Sequence, residues 1–282
     1  MFIKLSNYLK SVRFEETLFS LPFAFVGAIL SRRSYLELET TLLIILAMFG
    51  ARTFGMAANR VIDSTIDSWN PRTSSRHIPK GLIHPNELIL IGCIALVCLF
   101  FAAWKLNTLA FVLSPFAAIY LGIYPYSKRF TWLSSLVLGL ALSIAPAGGW
   151  IAVTGTFSLE IFLLCSGVAF WATAFDIIYH TQDREFYIKY GLHSFAQRFG
   201  LKYSFIISKF FDFLAIFSFF SLGFVMDLPY TYYLGCLLAS VGIFLRYYFV
   251  APSDLSKIPV VFMYSNAYFS FVFFIFTLIS VM

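Results

Sequence analysis

Two short stretches of this chain gather side chains that can hold a divalent cation. In Asn59-Arg60-Val61-Ile62-Asp63-Ser64-Thr65-Ile66-Asp67 one amide and two carboxylates recur at every fourth residue. On a helix Asn59, Asp63 and Asp67 therefore share a face. In Asp176-Ile177-Ile178-Tyr179-His180-Thr181-Gln182-Asp183 the two carboxylates are seven apart, again one face over two turns. Near a membrane interface a lone Asp63–Asp67 pair would read equally well as solvated loop. Only 14 of the 282 residues are acidic, however, so two such stripes are a concentration of charge. Hard oxygen donors suit Mg2+, which binds through one or two carboxylates, several waters and substrate phosphates. Arg60, Arg72, Arg76 and Lys80 lie among or after the first acids, and Arg184 and Lys189 follow the second. Their cationic groups suit the remaining charge of a phosphate. The chemistry implied is that of a diphosphate held through metal.

The elements that must carry these stripes are membrane spans. Hydrophobic residues make up 60% of the chain and charged ones 12%, with 35 Phe. A soluble domain has about 45–50% apolar and about 25% charged residues, so a soluble enzyme, a disordered tail and a secreted disulfide scaffold are excluded. Cys93, Cys98, Cys165 and Cys236 lie in apolar stretches with no C-x-x-C pair and read as small buried hydrophobes. The pI of 9.1 would suit nucleic acid, but in so apolar a chain it reflects the positive-inside bias, and no nucleic acid is expected as a partner. A span needs about 20 mainly apolar residues, which predicts nine: 17–31, 40–60, 87–105, 107–125, 133–153, 158–180, 203–226, 230–250 and 258–281. The first follows Lys4, Lys10 and Arg13 as a signal peptide would, but Glu15 and Glu16 precede it and a small-x-small cleavage site is lacking. It is read as a retained helix.

The basic residues orient the spans. Lys4, Lys10, Arg13, Arg60, Arg72, Arg76, Lys80, Lys128, Arg129, Arg184, Lys189, Arg198, Lys202 and Lys257 fall on one side, and only Arg32, Arg33 and Lys105 on the other. The N-terminus and the two long polar connections, 61–85 and 181–202, are thus expected to be cytoplasmic. The fold expected is an all-α integral membrane bundle forming a single domain over 1–282. The Asp residues that open each polar connection hint at a repeat, without an alignment to support it.

With their flanks, the two stretches resemble the motifs of a known family. Asn59-x3-Asp63-x3-Asp67 followed by Asn70-Pro71-Arg72-Thr73 resembles the first aspartate-rich motif of the UbiA superfamily of intramembrane aromatic prenyltransferases. Asp176-x2-Tyr179-x3-Asp183, running to Gly191-Leu192-His193-Ser194, resembles the second. Tyr124-Pro125-Tyr126-Ser127-Lys128-Arg129-Phe130-Thr131 looks like the segment between helices four and five, and Arg13-Phe14-Glu15 with Leu21-Pro22-Phe23 like the amino-terminal start. The resemblance covers nearly the whole chain, with the motifs in the expected order.

It implies a nine-helix bundle whose central cavity is capped by the two cytoplasmic polar connections. It also implies Mg2+-dependent transfer of a polyprenyl group from polyprenyl diphosphate to an aromatic acid such as 4-hydroxybenzoate, for ubiquinone or menaquinone biosynthesis at the inner membrane. An aromatic acid of a menaquinone route is the alternative acceptor, because the Arg13–Phe23 start and the Asn59-Arg60 pair look like that branch too. Residue by residue, Asn59, Asp63 and Asp67 would hold one Mg2+, and Asp176 and Asp183 would serve a second metal region. Lys128 and Arg129 would meet the diphosphate, and Tyr124 would form cavity wall near the reacting carbon. Arg72 and Lys80 suit phosphate contact and lipid-side loop anchoring equally. Arg13 suits an acceptor carboxylate or, more readily, a snorkelling anchor. His180 and His193 are candidate proton acceptors, His193 more readily a loop-ordering residue. Beyond polyprenyl diphosphate, the aromatic acceptor and membrane lipid, no obligate protein partner is expected.

Two positions depart from the family pattern. Arg60 follows Asn59 where the motif often begins Asn-Asp. Tyr187 stands where many members carry an Asp four residues after the one at 183, and a phenol of reference pKa about 10 is a poor Mg2+ ligand. Glu185 lies on the wrong helical face to replace it unless the turn is irregular, so the second metal site is altered, weaker or completed by Glu185. Two rival classes fit less well. A transporter places its ionisable groups near the midplane, whereas here the acids cluster at one membrane face and the mid-span regions read as mostly apolar. A CDP-alcohol phosphotransferase would need an Asp-Gly…Ala-Arg…Gly…Asp…Asp pattern, which is absent.

Overall fold

Strongly apolar runs with few breakers make helices, and the computed structural model, which describes residues 2–282 and the side chains of all of these but Phe2, Ile3, Leu5 and Leu18, is helical throughout with no strand among the described residues. In chain order these are α1 (Phe2–Ser11), α2 (Phe14–Arg32), α3 (Leu38–Ile62), α4 (Ser64–Trp69), α5 (Pro85–Leu106), α6 (Thr108–Ile123), α7 (Ser134–Thr154), α8 (Leu159–His180), α9 (Arg184–Tyr190), α10 (Phe195–Val225), α11 (Tyr230–Phe249) and α12 (Ile258–Val281). Short 3-10 turns follow α6 (Tyr124–Arg129) and α8 (Thr181–Asp183). Among the described residues nine helical segments are long and apolar enough to cross a bilayer, and they fall on the nine predicted spans. The largest shift of a starting residue is in α10, which begins at Phe195 rather than 203. Its first turns are polar, so hydropathy passes over them, but Ser194 caps the helix by accepting from Gln197 N at 3.1 Å. A kink at Gly200, with φ +77, then joins these turns to the apolar run.

The chain packs as two units: the described residues up to Leu18 with Leu38–Tyr126, and Phe19–Glu37 with Ser127–Met282. In the first, α3 lies tight against α5. A methyl group at Gly50 would stand 2.6 Å from Ala95 O, so glycine is what permits the approach. Small residues at contacts are how helices associate where lipid offers no hydrophobic drive between them. Val12, Met56, Ala57, Ile83 and Leu88 form a buried cluster that ties the end of α1 and the start of α5 to the acid-bearing end of α3.

In the second unit α2 and α7 interlock through glycine at both ends of their contact. A methyl group at Gly27 would lie 2.2 Å from Pro146 O, and one at Gly149 would lie 1.8 Å from Ala24 O. The core is aromatic: Trp171 stacks on Phe269 at 5.1 Å between centroids and tilts against Phe23 at 5.0 Å, while Phe219 meets Phe273 at 4.6 Å. This interior is mostly but not uniformly apolar. Arg246 of α11 is buried and donates from Nη1 to Asp212 Oδ2 of α10 at 3.1 Å, and from Nη2 to Asn266 Oδ1 of α12 at 3.3 Å. Tyr247 OH donates to Asp212, and Ser208 bonds both Tyr247 OH and Ala174 O of α8 at 2.7 Å. Each charge sits alone among apolar neighbours in sequence, so span averages conceal a pair formed between helices.

Candidate active site

The first acidic stripe survives a break in its helix. α3 ends at Ile62, and Asp63 stands at the joint with φ −92 and ψ 1. The helical hydrogen bonds continue all the same, from Asp63 N to Asn59 O at 3.0 Å and from Asp67 N to Asp63 O at 2.7 Å. Asp63 and Asp67 are therefore held on one face, 1% and 4% exposed. Asn59 Nδ2 donates to Asp63 Oδ2 at 3.2 Å. The departure at position 60 has a structural reason: buried Arg60 donates from Nη1 to Asn59 Oδ1 at 3.3 Å and from Nε to Ser11 O at 3.0 Å. The Asn59 amide is thus oriented from both ends, and its oxygen keeps a second lone pair for a further partner.

The turn after α4 completes this end. Asn70 Oδ1 accepts from Arg72 N at 3.0 Å, and Thr73 Oγ1 donates to Asp67 O at 3.1 Å. Asn70-Pro71-Arg72-Thr73 is thus the bend that returns the chain onto Asp67. The return delivers Arg76, whose Nη1 lies 2.6 Å from Asp67 Oδ2. In the sequence Arg76 is one of several cations after the first acids, and the Asn-Pro turn ahead of it is the one signal that it folds back onto Asp67. Arg72 is partly buried on the bend and Lys80 is exposed beyond it. Partial burial, then Arg60, Lys10 and Lys80, hold His77 below its ordinary pKa of 6.5. Arg13, with φ +48 between α1 and α2, pairs with Glu16, which Arg52 of α3 also reaches at 3.4 Å. Arg13 therefore stands in a protein ion pair. Tyr124 is partly buried where α6 passes into its 3-10 turn.

The second acidic segment belongs to the other unit. Asp176 is buried near the end of α8, and His180 Nδ1 lies 2.9 Å from its Oδ2. The helix then tightens into the 3-10 turn and α9 starts anew after Asp183, so the two acids are linked by a turn rather than by one regular helix. Asp183 is 2% exposed and Tyr187 4%, and the Tyr187 ring stands 5.8 Å from that of His180. Glu185 points away: its side chain is 84% exposed and pairs with Arg184, so the irregular turn does not bring it in. Gly191 ends α9 with φ +66, a left-handed cap that glycine adopts without strain. His193 then orders the loop through its backbone. Its N–H donates to Lys128 O at 2.8 Å, and its carbonyl accepts from Ser134 Oγ at 3.4 Å. The Lys128-Arg129 turn is thereby docked on the loop that follows the second acids.

Each segment offers two buried carboxylates, with an amide added in the first. No group of three or more His, Cys, Asp or Glu that could hold a metal forms among the described residues. Oxygen donors too few for an all-protein cage are what Mg2+ uses when substrate phosphates and water supply the rest, so the donor set fits that ion.

Among the described residues, nine segments long and apolar enough to cross a bilayer carry buried acids at two helix ends, with guanidinium groups beside the first, which defines an integral membrane protein with two acidic segments. Residues 20–276 match the UbiA prenyltransferase family, and the chain belongs to that family. It is 34% identical over 164 residues to a 4-hydroxybenzoate octaprenyltransferase of Vibrio cholerae serotype O1, a match covering 58% of this chain and 58% of that relative's length. Among solved structures, a UbiA homolog from Aeropyrum pernix K1 is 30% identical with a TM-score of 0.86, covering 95% of this chain and 98% of that one. A UbiA homolog from Archaeoglobus fulgidus, solved with DMAPP and Mg2+ bound, has a TM-score of 0.65 at 21% identity, covering 95% and 99%.

Proposed function

We propose that this protein is a Mg2+-dependent polyprenyltransferase, moving a polyprenyl group from its diphosphate to an aromatic acid such as 4-hydroxybenzoate in quinone biosynthesis. The observation that carries this reading is the end of α3, where buried Asp63 and Asp67, oriented by Asn59, stand beside Arg60 and Arg76. The name of the Vibrio cholerae relative and the ligands of the Archaeoglobus homolog support it. Arg60 following Asn59 keeps the aromatic acids of a menaquinone route as the second reading. The whole chain acts as one catalytic domain, and its charge bias puts the N-terminus and both polar connections on the cytoplasmic side of the inner membrane.

Asn59, Asp63 and Asp67 would hold one Mg2+, and Asp176 with Asp183 would serve the second region; metal bound there neutralises charge growing on the departing diphosphate. Arg76, Arg72, Lys128 and Arg129 meet the rest of that charge. The C–O bond to the diphosphate breaks with both electrons leaving on oxygen. A ring carbon of the acceptor then bonds to the allylic carbon and loses its proton. His180, oriented by Asp176, takes that proton. Tyr124 and the apolar span ends keep water from the allylic cation.

The test is prenyl transfer by purified, detergent-solubilised protein, given labelled polyprenyl diphosphate and a panel of aromatic acids with and without Mg2+. Product requires Mg2+, falls by about 10²-fold or more in Asp63→Ala and Asp183→Ala, and the best acceptor identifies the route. Folded protein that makes no product with any acceptor and binds no polyprenyl diphosphate overturns the reading.

A further inference from the structure

The turn that carries Lys128 and Arg129 has an anchor that none of these roles employs. Between its 3-10 helix (Tyr124–Arg129) and α7 stands half-buried Trp132. Its ring meets buried Phe195 at 5.0 Å between centroids with an interplanar angle of 89°, and Phe199 at 5.2 Å with an angle of 90°. Both contacts have the edge-to-face arrangement that ring quadrupoles favour. The guanidinium of exposed Arg198 lies over the same ring, 5.2 Å from its centroid, within the range of a cation–π attraction. Three side chains from the first turns of α10, ahead of the kink at Gly200, thus hold one indole.

The same turns hold the second acidic segment. Arg184, the residue after Asp183, donates from Nε to Ala196 O at 3.2 Å. The start of α10 is therefore a shared platform: it carries the cationic turn through Trp132 and the Asp183 end of α9 through Arg184. The turn is also tethered by the bond from His193 N to Lys128 O at 2.8 Å. One hydrogen bond fixes a distance but permits rotation about it, and the Trp132 contact four residues further on limits that rotation. We propose that Trp132 is a positioning residue, which orients the Lys128–Arg129 turn so that its cations and the second acidic segment serve the same diphosphate. It touches no reacting atom. The effect is steep, because a misplacement of about 1 Å can cost about 10²-fold in rate. This rests on the diphosphate role proposed above for Lys128 and Arg129.

The test measures the Kd of inorganic diphosphate with Mg2+ by calorimetry on purified full-length protein in detergent. It is joined to the KM values for polyprenyl diphosphate and 4-hydroxybenzoate. Trp132→Leu raises the diphosphate Kd and the donor KM by about 10-fold and leaves the KM of the acid in place. Trp132→Phe keeps an aromatic face for Phe195 and Arg198 and retains most of the affinity. Should Trp132→Leu fold poorly, as judged by its melting temperature, Phe199→Leu decides, with an expected rise of about 3-fold. Phe199 is 36% exposed, so its loss disturbs the core little. The inference is overturned if the folded variant binds diphosphate as the unaltered protein does. It is equally overturned if both substrates weaken by one factor, as a purely structural role would cause. Arg129→Gln separates this inference from the reading beneath it. If Arg129→Gln weakens diphosphate binding and the Trp132 variants do not, the positioning role alone falls. If neither does, the turn does not meet the diphosphate and both fall.

Discussion

Arg60 shows what a single side chain adds around the carboxylates. It holds the Asn59 amide by its oxygen while anchoring the end of α1 through Ser11 O. Partners that orient a metal's ligands commonly change affinity by about 10–100-fold when removed. Arg60→Gln should therefore weaken Mn2+ binding, read by electron paramagnetic resonance in the presence of a prenyl diphosphate, by about 10-fold. An unchanged Mn2+ affinity would show that Asn59 needs no such support. The spacing of Asn59, Asp63 and Asp67 was legible because fourth-residue recurrence survives translation into a helix. Arg76 was not legible as the partner of Asp67, since nine residues and a proline bend separate them and only the folded turn closes the gap. Glu185 likewise could not be judged from sequence, because its direction depends on where the 3-10 turn ends.

At the level of helices, buried Asp212, Arg246, Asn266 and Ser208 with half-buried Tyr247 link α8, α10, α11 and α12. Asp212→Asn leaves a guanidinium buried without its counter-ion, which costs about 3–5 kcal/mol. It should lower the thermal midpoint in detergent sharply. The double variant Asp212→Leu with Arg246→Met removes both charges and should recover most of that loss, because a buried ion pair is often replaceable by apolar groups. A double variant no more stable than the single one would show that the pair has a role besides mutual neutralisation. Ser208 carries this network to Ala174 O of α8, two residues ahead of the His180-paired Asp176. The spans themselves were readable from apolar run length; their cross-connections were not, since a lone Asp or Arg barely moves the mean of an apolar window.

For the whole molecule, the family match reaches from residue 20 to 276, and both units carry acids of the motifs it contains. A ligand that binds only the folded chain stabilises it by mass action. At about 100-fold over Kd the gain is about 2.7 kcal/mol. Mg2+ with a non-hydrolysable polyprenyl diphosphate analogue should raise the melting temperature, whereas either component alone should do so far less. Equal shifts from the analogue with and without Mg2+ would contradict metal-linked diphosphate binding.

Composition and apolar run length by themselves determined the membrane class and the nine spans, because crossing a bilayer constrains every residue of a span and so leaves a strong local record. Spacing also determined which carboxylates share a helix face. Which cation meets which side-chain oxygen was decided only by tertiary structure: Arg76 on Asp67, Arg60 on the Asn59 amide, Arg52 and Arg13 on Glu16, and Arg246 on Asp212. Long side chains choose partners by distances in space, which the packing of the helices sets. Linear sequence does not hold them.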